Sequence, residues 1–370
     1  MLKRVVGFLR REVVFTASLI AALLSMLLTT PGVHTLHDVD TGTLFMLFGL
    51  MTTVAGLRRI GLFARLGAAM TARLTNIRAL GMTLVCACFM LAMAATNDVA
   101  LITLVPFTML LMHGAREKDI ILTVVLETIA ANLGSMFTPI GNPQNLYLYS
   151  SGRLTIGDFP LMTWPYALLS LVLLLALCLL LPKASVAQSA AEKKALPARS
   201  LCLYGAMTLV SLLGVAKVIP AWLLALVVLA LAALFDREVL RKVDFTLLGT
   251  FVCFFVFVSG VKGYAPICNA LEGLMASQPL VTPLVVSQVI SNVPACLLLA
   301  PFTQDAGALM LGVNLGGLGT LVASLASLIS YKLYCAAPGA QKGRYFAVFT
   351  VLNVALLAVL LVLAWILGAV

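Results

Sequence analysis

The sequence is a succession of long apolar runs separated by short polar loops, and most runs approach the roughly 20 residues that a membrane-spanning helix needs. Hydrophobic residues make up 62% of the 370 residues and charged residues only 10%, whereas soluble domains carry roughly 25% charged residues. This composition leaves no room for a sizeable soluble domain. It predicts an all-α polytopic protein of the inner or plasma membrane, embedded in a lipid bilayer.

The net charge of +10 raises the question of nucleic-acid binding. The basic residues, however, lie in the gaps between apolar runs and form no patch with interleaved aromatic side chains. Juxtamembrane loops have this composition, so we expect no nucleic-acid partner. The eight cysteines lie mostly inside apolar runs, which favours small buried side chains over disulfides or a metal cluster.

The N-terminus carries a basic cluster, Lys3, Arg4, Arg10 and Arg11, before the apolar run 13–28. A secretory signal begins in the same way, but Thr-Thr-Pro follows the run without a small-x-small cleavage site. We therefore interpret the run as a retained first span that leaves the N-terminus in the cytoplasm.

The distribution of lysine and arginine assigns a side of the membrane to each loop. The loop 31–40 has neither residue and belongs outside, whereas the stretch 58–78 is rich in arginine and belongs inside. Further basic loops are also placed inside, at 113–119, 182–199, 236–242 and 342–344. The last apolar run, 345–368, then crosses the membrane once more, which predicts a C-terminus outside.

Within the arginine-rich stretch, apolar residues recur every three or four positions, as on one face of a helix: Phe63, Leu66, Met70, Leu74 and Ile77. An apolar stripe beside a basic face is the composition of helices that lie along a membrane surface. We therefore expect an amphipathic helix in the cytoplasmic interface.

The segment 79–112 is apolar but is interrupted by Thr96-Asn97-Asp98, and charged loops flank it at both ends. Both flanks are predicted to be cytoplasmic, so the segment has to enter and leave the membrane on the same side. A re-entrant hairpin of two short helices with polar residues at its tip meets this requirement. Two full spans are the alternative, but each arm has only about 15 to 17 residues, at or below the usual span length.

A second hairpin is predicted at 280–302, because its sequence repeats the first. Residues 96–108 read TNDVALITLVPFT and residues 291–303 read SNVPACLLLAPFT. Asn, Ala, Leu, Pro, Phe and Thr recur at equivalent positions. The repeat predicts that both halves of the chain carry the same re-entrant element.

The repeat continues downstream of each hairpin. Asn132-Leu133-Gly134-Ser135 is echoed by Asn314-Leu315-Gly316-Gly317, and Thr138 is echoed by Thr320. Both echoes lie in apolar spans that proline or glycine interrupts, at 120–149 and 308–334. Each half therefore runs span, span, interfacial helix, hairpin, broken span, span.

The domain organisation follows from this order. The first repeat covers 1–181, a linker and connecting helix cover 182–219, and the second repeat covers 220–370. The connecting helix makes the second half enter from the opposite side, so one hairpin opens from the cytoplasm and the other from outside. Inverted repeats with broken helices place a polar site near the membrane midplane and are typical of secondary transporters.

At these motifs the chain resembles the ion transporter superfamily, which comprises divalent-anion/sodium symporters, citrate transporters, arsenite permeases and related sodium/proton antiporters. The motifs are Thr96-Asn97-Asp98, Gly141-Asn142-Pro143-Gln144-Asn145, Ser291-Asn292-Val293-Pro294 and Gly316-Gly317-Leu318-Gly319-Thr320. They lie in both halves, and the chain looks most like the small anion-permease branch. The resemblance implies a homodimer with a static scaffold and a moving transport unit that carries both hairpins.

In the symporters of this superfamily, the hairpin tips carry a Ser-Asn-Thr signature that binds sodium and the substrate carboxylate. Two of its three positions match here, as Thr96-Asn97 and Ser291-Asn292, and the third position is Asp98 in one tip and Val293 in the other. The resemblance thus implies sodium sites at Asn97 and Asn292. The alternative is that these asparagines only cap the hairpin helices.

Two acidic residues within apolar segments are candidates for ion coupling. A carboxylate at a membrane-buried tip is costly and indicates function, so Asp98 is expected to bind a cation or carry a coupled proton. Neutralisation by a basic partner is the competing interpretation. Glu127 has no counterpart in the second half. It is either a proton site or a residue near the cytoplasmic end that makes ordinary hydrogen bonds.

The breaks in the interrupted spans supply the remaining candidates. Asn142, Gln144 and Asn145 offer amide donors that can hold an oxyanion beside a broken helix end. The alternative is that they satisfy backbone groups freed by the break. The predicted binding site is completed by Thr138, Gly141, Gly316, Gly317 and Thr320.

A membrane-embedded enzyme is the main alternative class. A metalloprotease would need His-Glu-x-x-His on a helix, which the sequence lacks, and the histidines His34, His37 and His113 fall in loops. The sequence also lacks a P-loop. We therefore predict a secondary transporter of a small anionic solute, with sodium or a proton as the coupling ion and no other cofactor. A sodium/proton antiporter and an arsenite permease are the alternatives.

Overall fold

The computed structural model describes residues 12–28, 39–71, 74, 76–185 and 197–369. Within these residues the regular structure is helical, apart from an isolated bridge between Asn76 and Ser185. The basic cluster at the N-terminus, His34, His37 and most of the linker 182–199 lie outside the described residues. The all-α class predicted from the composition is confirmed.

Within the described residues, the first half of the chain forms helices α1 to α8: Val13–Leu28, Thr41–Arg59, Leu62–Thr71, Ile77–Ala94, Asn97–Leu111, Glu117–Ser135, Pro143–Ser150 and Asp158–Cys178. A 3₁₀ turn, Pro139–Gly141, separates α6 from α7. Helix α9, Ala198–Val215, then connects the two halves.

The second half forms helices α10 to α18: Ala221–Phe235, Arg237–Leu240, Phe245–Lys262, Ala265–Ser277, Val281–Ile290, Asn292–Leu299, Ala306–Leu315, Leu325–Cys335 and Lys342–Ile366. A second 3₁₀ turn, Ala300–Phe302, follows α15. Among the described residues and apart from the one-turn helix α11, each half contains eight helices, but α4 has 18 residues and its counterpart α14 has 10.

Among the described residues, six helices are long and apolar enough to cross a membrane: α2, α4, α8, α9, α12 and α18. In the most apolar window of α18 only 22% of the residues are buried within the protein, whereas in α4 the share is 50%. A helix that is apolar and yet largely uncovered is suited to contact with lipid. The chain is therefore a multi-pass membrane protein.

The two hairpin tips differ in their backbone. In the first tip, the Thr96 side chain caps α5 by accepting a hydrogen bond from the Val99 N–H at 3.3 Å. In the second tip, Ser291 alone joins α14 to α15 and has φ 75°, in the left-handed region that non-glycine residues rarely adopt. The second tip is therefore the tighter and the more strained of the two.

The predicted interfacial helix is shorter than its apolar stripe, so the prediction of one helix across the whole stripe is wrong. Helix α3 ends at Thr71. Asn76 then accepts a hydrogen bond from the Ala79 N–H at 2.9 Å and begins α4, so Ile77 belongs to the first hairpin arm. The periodicity continues across the boundary, but the capping asparagine divides it between two helices.

One end of the helix bundle is held by a polar cluster. Arg59, at the end of α2, forms ion pairs with Asp236 and Glu238, and the Tyr204 hydroxyl donates to Asp236 at 2.6 Å. Burial alone raises the pKa of the Asp236 carboxyl, but hydrogen bonds from Tyr204 and Arg59 outweigh burial and hold the pKa below its ordinary value. The ionised carboxylate thus joins the ends of α2, α9 and α10.

The two halves contact each other in a reciprocal way. Helix α5, the second arm of the first hairpin, lies against α17, and α15, the second arm of the second hairpin, lies against α7. Likewise α1 packs on α12, and α2 packs on α10. Each hairpin therefore contacts the broken helix of the other half, which brings both tips and both breaks into one region.

In each half, the first hairpin arm crosses the broken helix at a glycine. A Cβ atom on Gly134 would lie 2.3 Å from the carbonyl oxygen of Phe89, and one on Gly316 would lie 2.9 Å from the Leu284 Cα. The neighbouring atoms belong to backbone and cannot rotate away. These glycines occupy equivalent positions in the repeated motif and allow two helix backbones to approach closely.

We expect Gly134→Ala to destabilise the protein by about 1–3 kcal/mol, because the added methyl group overpacks a contact made by backbone. Gly205→Ala is the control, since a Cβ there meets no heavy atom within 4 Å and alanine favours a helix. The measurement is the thermal midpoint of the detergent-solubilised protein. Equal midpoints for the two variants would contradict this account of the helix crossing.

Candidate solute and ion site

The first hairpin tip contacts the broken helix α6. The Asn97 side chain is 5% exposed, accepts a hydrogen bond from the Asp98 N–H at 2.9 Å and donates to Asn132 Oδ1 at 3.4 Å. Thr96, rather than Asn97, supplies the side-chain cap of α5. Asn97 therefore has a second role at the tip, since it connects the hairpin to Asn132.

The second tip is fixed through its backbone. The Asn292 N–H donates to the Ala323 carbonyl at 2.9 Å, and the Ser291 hydroxyl donates to the same carbonyl at 3.4 Å. Asn292 is 4% exposed, and its Nδ2 lies against Gly317, where a Cβ would approach it to 3.0 Å. The second tip thus rests on the break between α16 and α17.

Asn132 joins the first half to the break of the second half. Its Oδ1 accepts a hydrogen bond from the Ser324 hydroxyl at 2.9 Å, and its Nδ2 donates to the Ser327 hydroxyl at 3.1 Å. The same Nδ2 lies 3.4 Å from the Gly317 carbonyl oxygen. The Asn132 side chain is 3% exposed, so these bonds form away from water.

Asn314 makes the equivalent bonds from the second half of the chain to the first. Its Oδ1 accepts from Asn142 Nδ2 at 2.8 Å, and its Nδ2 donates to Asn145 Oδ1 at 2.7 Å. In the repeat, Asn132 corresponds to Asn314, and residues 142 and 145 correspond to Ser324 and Ser327. The two asparagines therefore form a reciprocal pair of buried contacts, which we call the asparagine cross-links.

The sequence contained the asparagines of the cross-links but did not show which residues they bond. Asn132 and Asn314 were visible as matching positions, but neither was among the predicted site residues, and Ser324 and Ser327 gave no signal. The missing information is the partner, because the bonded residues lie 169 to 195 positions apart in the chain. Matched asparagines at equivalent positions of two repeats were the available clue.

Thr138 and Thr320 also bond in an equivalent way. The Thr138 hydroxyl donates to the Met93 carbonyl at 2.6 Å, and the Thr320 hydroxyl donates to the Gln288 carbonyl at 3.1 Å. Gln288 further bonds the Gly316 carbonyl at 2.8 Å and the Thr320 N–H at 3.0 Å. These two threonines, predicted as site residues, hold each break against the first arm of its own hairpin.

The glycines of the predicted site serve close packing. A Cβ on Gly141 would lie 2.1 Å from the Ser135 carbonyl oxygen, so only glycine fits beside the end of α6. Gly316 and Gly317 lie against α14 and against Asn292, respectively. These three positions shape the region and bring backbone groups close to the tips.

The amides at the first break differ in what they bond. Asn142 caps α7 and donates to Ser135 Oγ at 3.1 Å in addition to its cross-link, and Asn145 Nδ2 donates to the Thr138 carbonyl at 3.1 Å. Gln144 is 0% exposed, and neither Oε1 nor Nε2 has a hydrogen-bond partner among the described residues. Of the three predicted amides, Gln144 is therefore the one whose side chain is left for a ligand.

The two acidic candidates have different surroundings. Asp98 lies in the first turn of α5, and its carboxylate forms neither a hydrogen bond nor an ion pair with any described residue. A neutralising basic partner is thus absent from the described part of the chain. Glu127 is 0% exposed. Its Oε1 accepts a hydrogen bond from the Thr108 hydroxyl at 2.5 Å, and its Oε2 has no hydrogen-bond partner among the described residues. Glu127 therefore makes one ordinary hydrogen bond and keeps a second oxygen for a proton or a ligand, and both interpretations of this residue stay predictions.

The described residues hold no cluster of three or more His, Cys, Asp or Glu side chains suited to a transition metal. The oxygen atoms gathered at the tips belong to hydroxyl, amide and backbone carbonyl groups and to the Asp98 carboxylate. Such hard, mostly neutral ligands suit an alkali cation better than a transition metal. The chemistry of the region is therefore that of ion and solute coordination.

Paired broken helices, joined by buried polar bonds inside an apolar helical protein, define a membrane transporter. The chain matches the citrate transporter family profile over residues 5–310 and belongs to that family. It is 33% identical over 304 residues to the inner membrane protein YbiR of Escherichia coli strain K12, which covers 80% of each chain.

Two further relatives carry the name of transporter. An uncharacterized transporter of Methanocaldococcus jannaschii is 29% identical over 331 residues, covering 85% of this chain and 87% of the relative. A silicon efflux transporter of Oryza sativa subsp. japonica is 34% identical over 147 residues, covering 38% of this chain and 30% of the relative. The resemblance inferred from the motifs is confirmed, and the family is one of transporters rather than enzymes.

Proposed function

We propose that the protein is a secondary active transporter of a small anionic solute, either a di- or tricarboxylate or an inorganic oxyanion. A sodium or proton gradient drives it. The observation that carries this proposal is the meeting of two hairpin tips and two broken helices, where Gln144 is buried without a hydrogen-bond partner among the described residues. An unsatisfied buried amide is costly unless something else binds it, and a solute oxygen is a suitable partner.

The coupling ion is assigned to the hairpin tips. Thr96, Asn97, Ser291 and Asn292 offer hydroxyl, amide and backbone oxygens for sodium, and Asp98 offers an unpaired carboxylate for a cation or a proton. The family match to citrate transporters supports an anionic solute. The mechanism we propose is of the elevator type, in a homodimer with a cytoplasmic N-terminus and two inverted repeats.

Two alternatives remain within the transporter class. A sodium/proton antiporter is motivated by Asp98 and Glu127, which are acidic groups without basic partners among the described residues. An arsenite permease is motivated by the superfamily resemblance.

The test is current and internal pH in proteoliposomes that contain the purified protein, challenged with citrate, succinate, sulfate and arsenite under separate sodium and proton gradients. A saturable signal that depends on one of the anions supports the proposal and identifies the coupling ion. A sodium-triggered pH change without added solute supports the antiporter instead. Uptake with no dependence on either gradient argues against secondary active transport.

Glu127 distinguishes proton coupling from sodium coupling. We expect Glu127→Gln to keep the bond from the Thr108 hydroxyl but to remove ionisation, so a proton-coupled carrier loses the pH dependence of its uptake. The measurement is uptake over a range of external pH at fixed membrane potential. Glu272→Gln, at an exposed position on α13, is the control. An unaltered pH profile in Glu127→Gln would exclude this residue as the proton site.

A further inference from the structure

A cavity of about 330 Å³ lies between α7, α12 and the second hairpin, apart from the two tips. Its polar wall is formed by Asp40, Tyr147, Ser151, Ser259 and Lys262, and its apolar wall includes residues at the end of α15. The volume falls at the lower end of the roughly 300–1,000 Å³ that small-molecule sites occupy. The cavity is thus large enough for a small organic or inorganic anion.

The polar wall presents mainly hydrogen-bond donors. The Tyr147 hydroxyl, the Ser259 hydroxyl and the Lys262 ammonium group form no hydrogen bond or ion pair with the described residues. The Asp40 carboxylate is already engaged: it accepts from the Thr43 N–H at 3.0 Å and from the Thr43 hydroxyl at 2.5 Å. The Asp40 carboxylate keeps its negative charge, but it forms no ion pair with Lys262, so the ammonium group and the two hydroxyl donors remain available to an anionic oxygen atom.

The cavity and Gln144 are neighbours along α7. Tyr147 follows Gln144 by three positions, so both lie on one face of α7, and Ser151 caps the C-terminal end of the helix. The Cys296 Sγ, one position before the cavity-lining Leu297, lies 3.9 Å from the Gln144 carbonyl oxygen. Tyr147, which lines the cavity, is thus about one helical turn, or roughly 5 Å, from Gln144 along α7.

We infer that this cavity is an access subsite that binds the anionic group of the solute before the solute reaches Gln144. Lys262 supplies the charge, and the Tyr147 and Ser259 hydroxyls donate hydrogen bonds. The inference rests on the proposed function and adds a second binding position to it. Lys262 lies in a region predicted to be outside, where the positive-inside rule gives no reason for a lysine.

The first arm of the test measures binding without transport. The purified full-length protein is acetylated with a lysine-reactive ester in the absence and presence of citrate or sulfate, and modification is quantified by peptide mass spectrometry. Lys242, which is exposed three residues before the start of α12, is the internal control. We expect either anion to protect Lys262 at least about threefold more than Lys242, since an exposed ion pair contributes up to about 1 kcal/mol.

The second arm measures transport by Lys262→Met and Lys242→Met in proteoliposomes. We expect Lys262→Met to raise KM about threefold to fivefold with little change in kcat, and high salt to reduce this difference. Protection of Lys262 without any transport would keep the subsite and reject the proposed function. Normal transport with equal protection of both lysines, or an unchanged KM in Lys262→Met, would overturn the subsite.

Discussion

Asp98→Asn is expected to reduce gradient-driven uptake by at least about tenfold while leaving the protein folded. The substitution keeps the size of the side chain and removes the one carboxylate at the hairpin tips. Because no described residue pairs with this carboxylate, its removal leaves no buried positive charge behind. Coupling between two ligands is typically 1–3 kcal/mol, or about 5- to 150-fold, so loss of the coupling group has a large effect.

The measurement is uptake into proteoliposomes under a sodium gradient and, separately, under a proton gradient. Asp158→Asn is a matched control, because Asp158 is likewise an acidic residue in the first turn of a helix but lies outside the candidate site. Loss of net uptake with retained exchange would identify Asp98 as the coupling group. Full coupled transport by Asp98→Asn would remove it from the mechanism.

Asn132→Ala and Asn314→Ala are each expected to abolish most transport and to lower the thermal midpoint. Asn132→Ala leaves Ser324 and Ser327 without their buried partner, and Asn314→Ala does the same to Asn142 and Asn145. Each group that loses its partner away from water costs about 1–3 kcal/mol. The cross-links also set how each broken helix faces the tips, so we expect uptake per folded molecule to fall by more than about tenfold.

The control is Asn353→Ala, because Asn353 is equally buried but donates only within its own helix, to the Phe349 carbonyl at 2.8 Å. This variant is expected to transport normally. A coupling energy near zero in the Asn132→Ala/Ser324→Ala double-mutant cycle would show that the cross-link contributes nothing. Normal uptake by both Asn132→Ala and Asn314→Ala would show that the cross-links do not shape the transport site.

The helical class could be predicted from the sequence. The sequence also predicted both hairpin tips, near Thr96 and Ser291, where α4 meets α5 and α14 meets α15. These elements depend on local signals, namely apolar length, capping residues and helix-breaking residues. The interfacial stripe was misjudged because periodicity alone does not reveal that Asn76 begins a new helix. Local capping prevailed there over the apolar pattern.

The candidate site was less accessible to prediction. Gln144, Asn142 and Asn145 looked alike in the sequence, and only the fold distinguishes the free amide from the two that are bonded. The same limit applies to Thr138 and Thr320, because the sequence does not show which backbone carbonyls their hydroxyls bond. Residue type indicates what a side chain can bind, but its partner depends on tertiary contacts between distant segments.

The asparagine cross-links have a consequence for the biogenesis of the protein. While the ribosome is still making the first half, Asn132, Asn142 and Asn145 already belong to an apolar segment, but residues 314–327 do not yet exist to bond them. Asn142 and Asn145 also bond Ser135 and Thr138 within the first half, but the amide groups that later face residues 314–327 need temporary partners, such as water, lipid headgroups or the insertion machinery. The first half reaches its final arrangement only after the second half has been synthesised, so assembly is completed late and as a single unit.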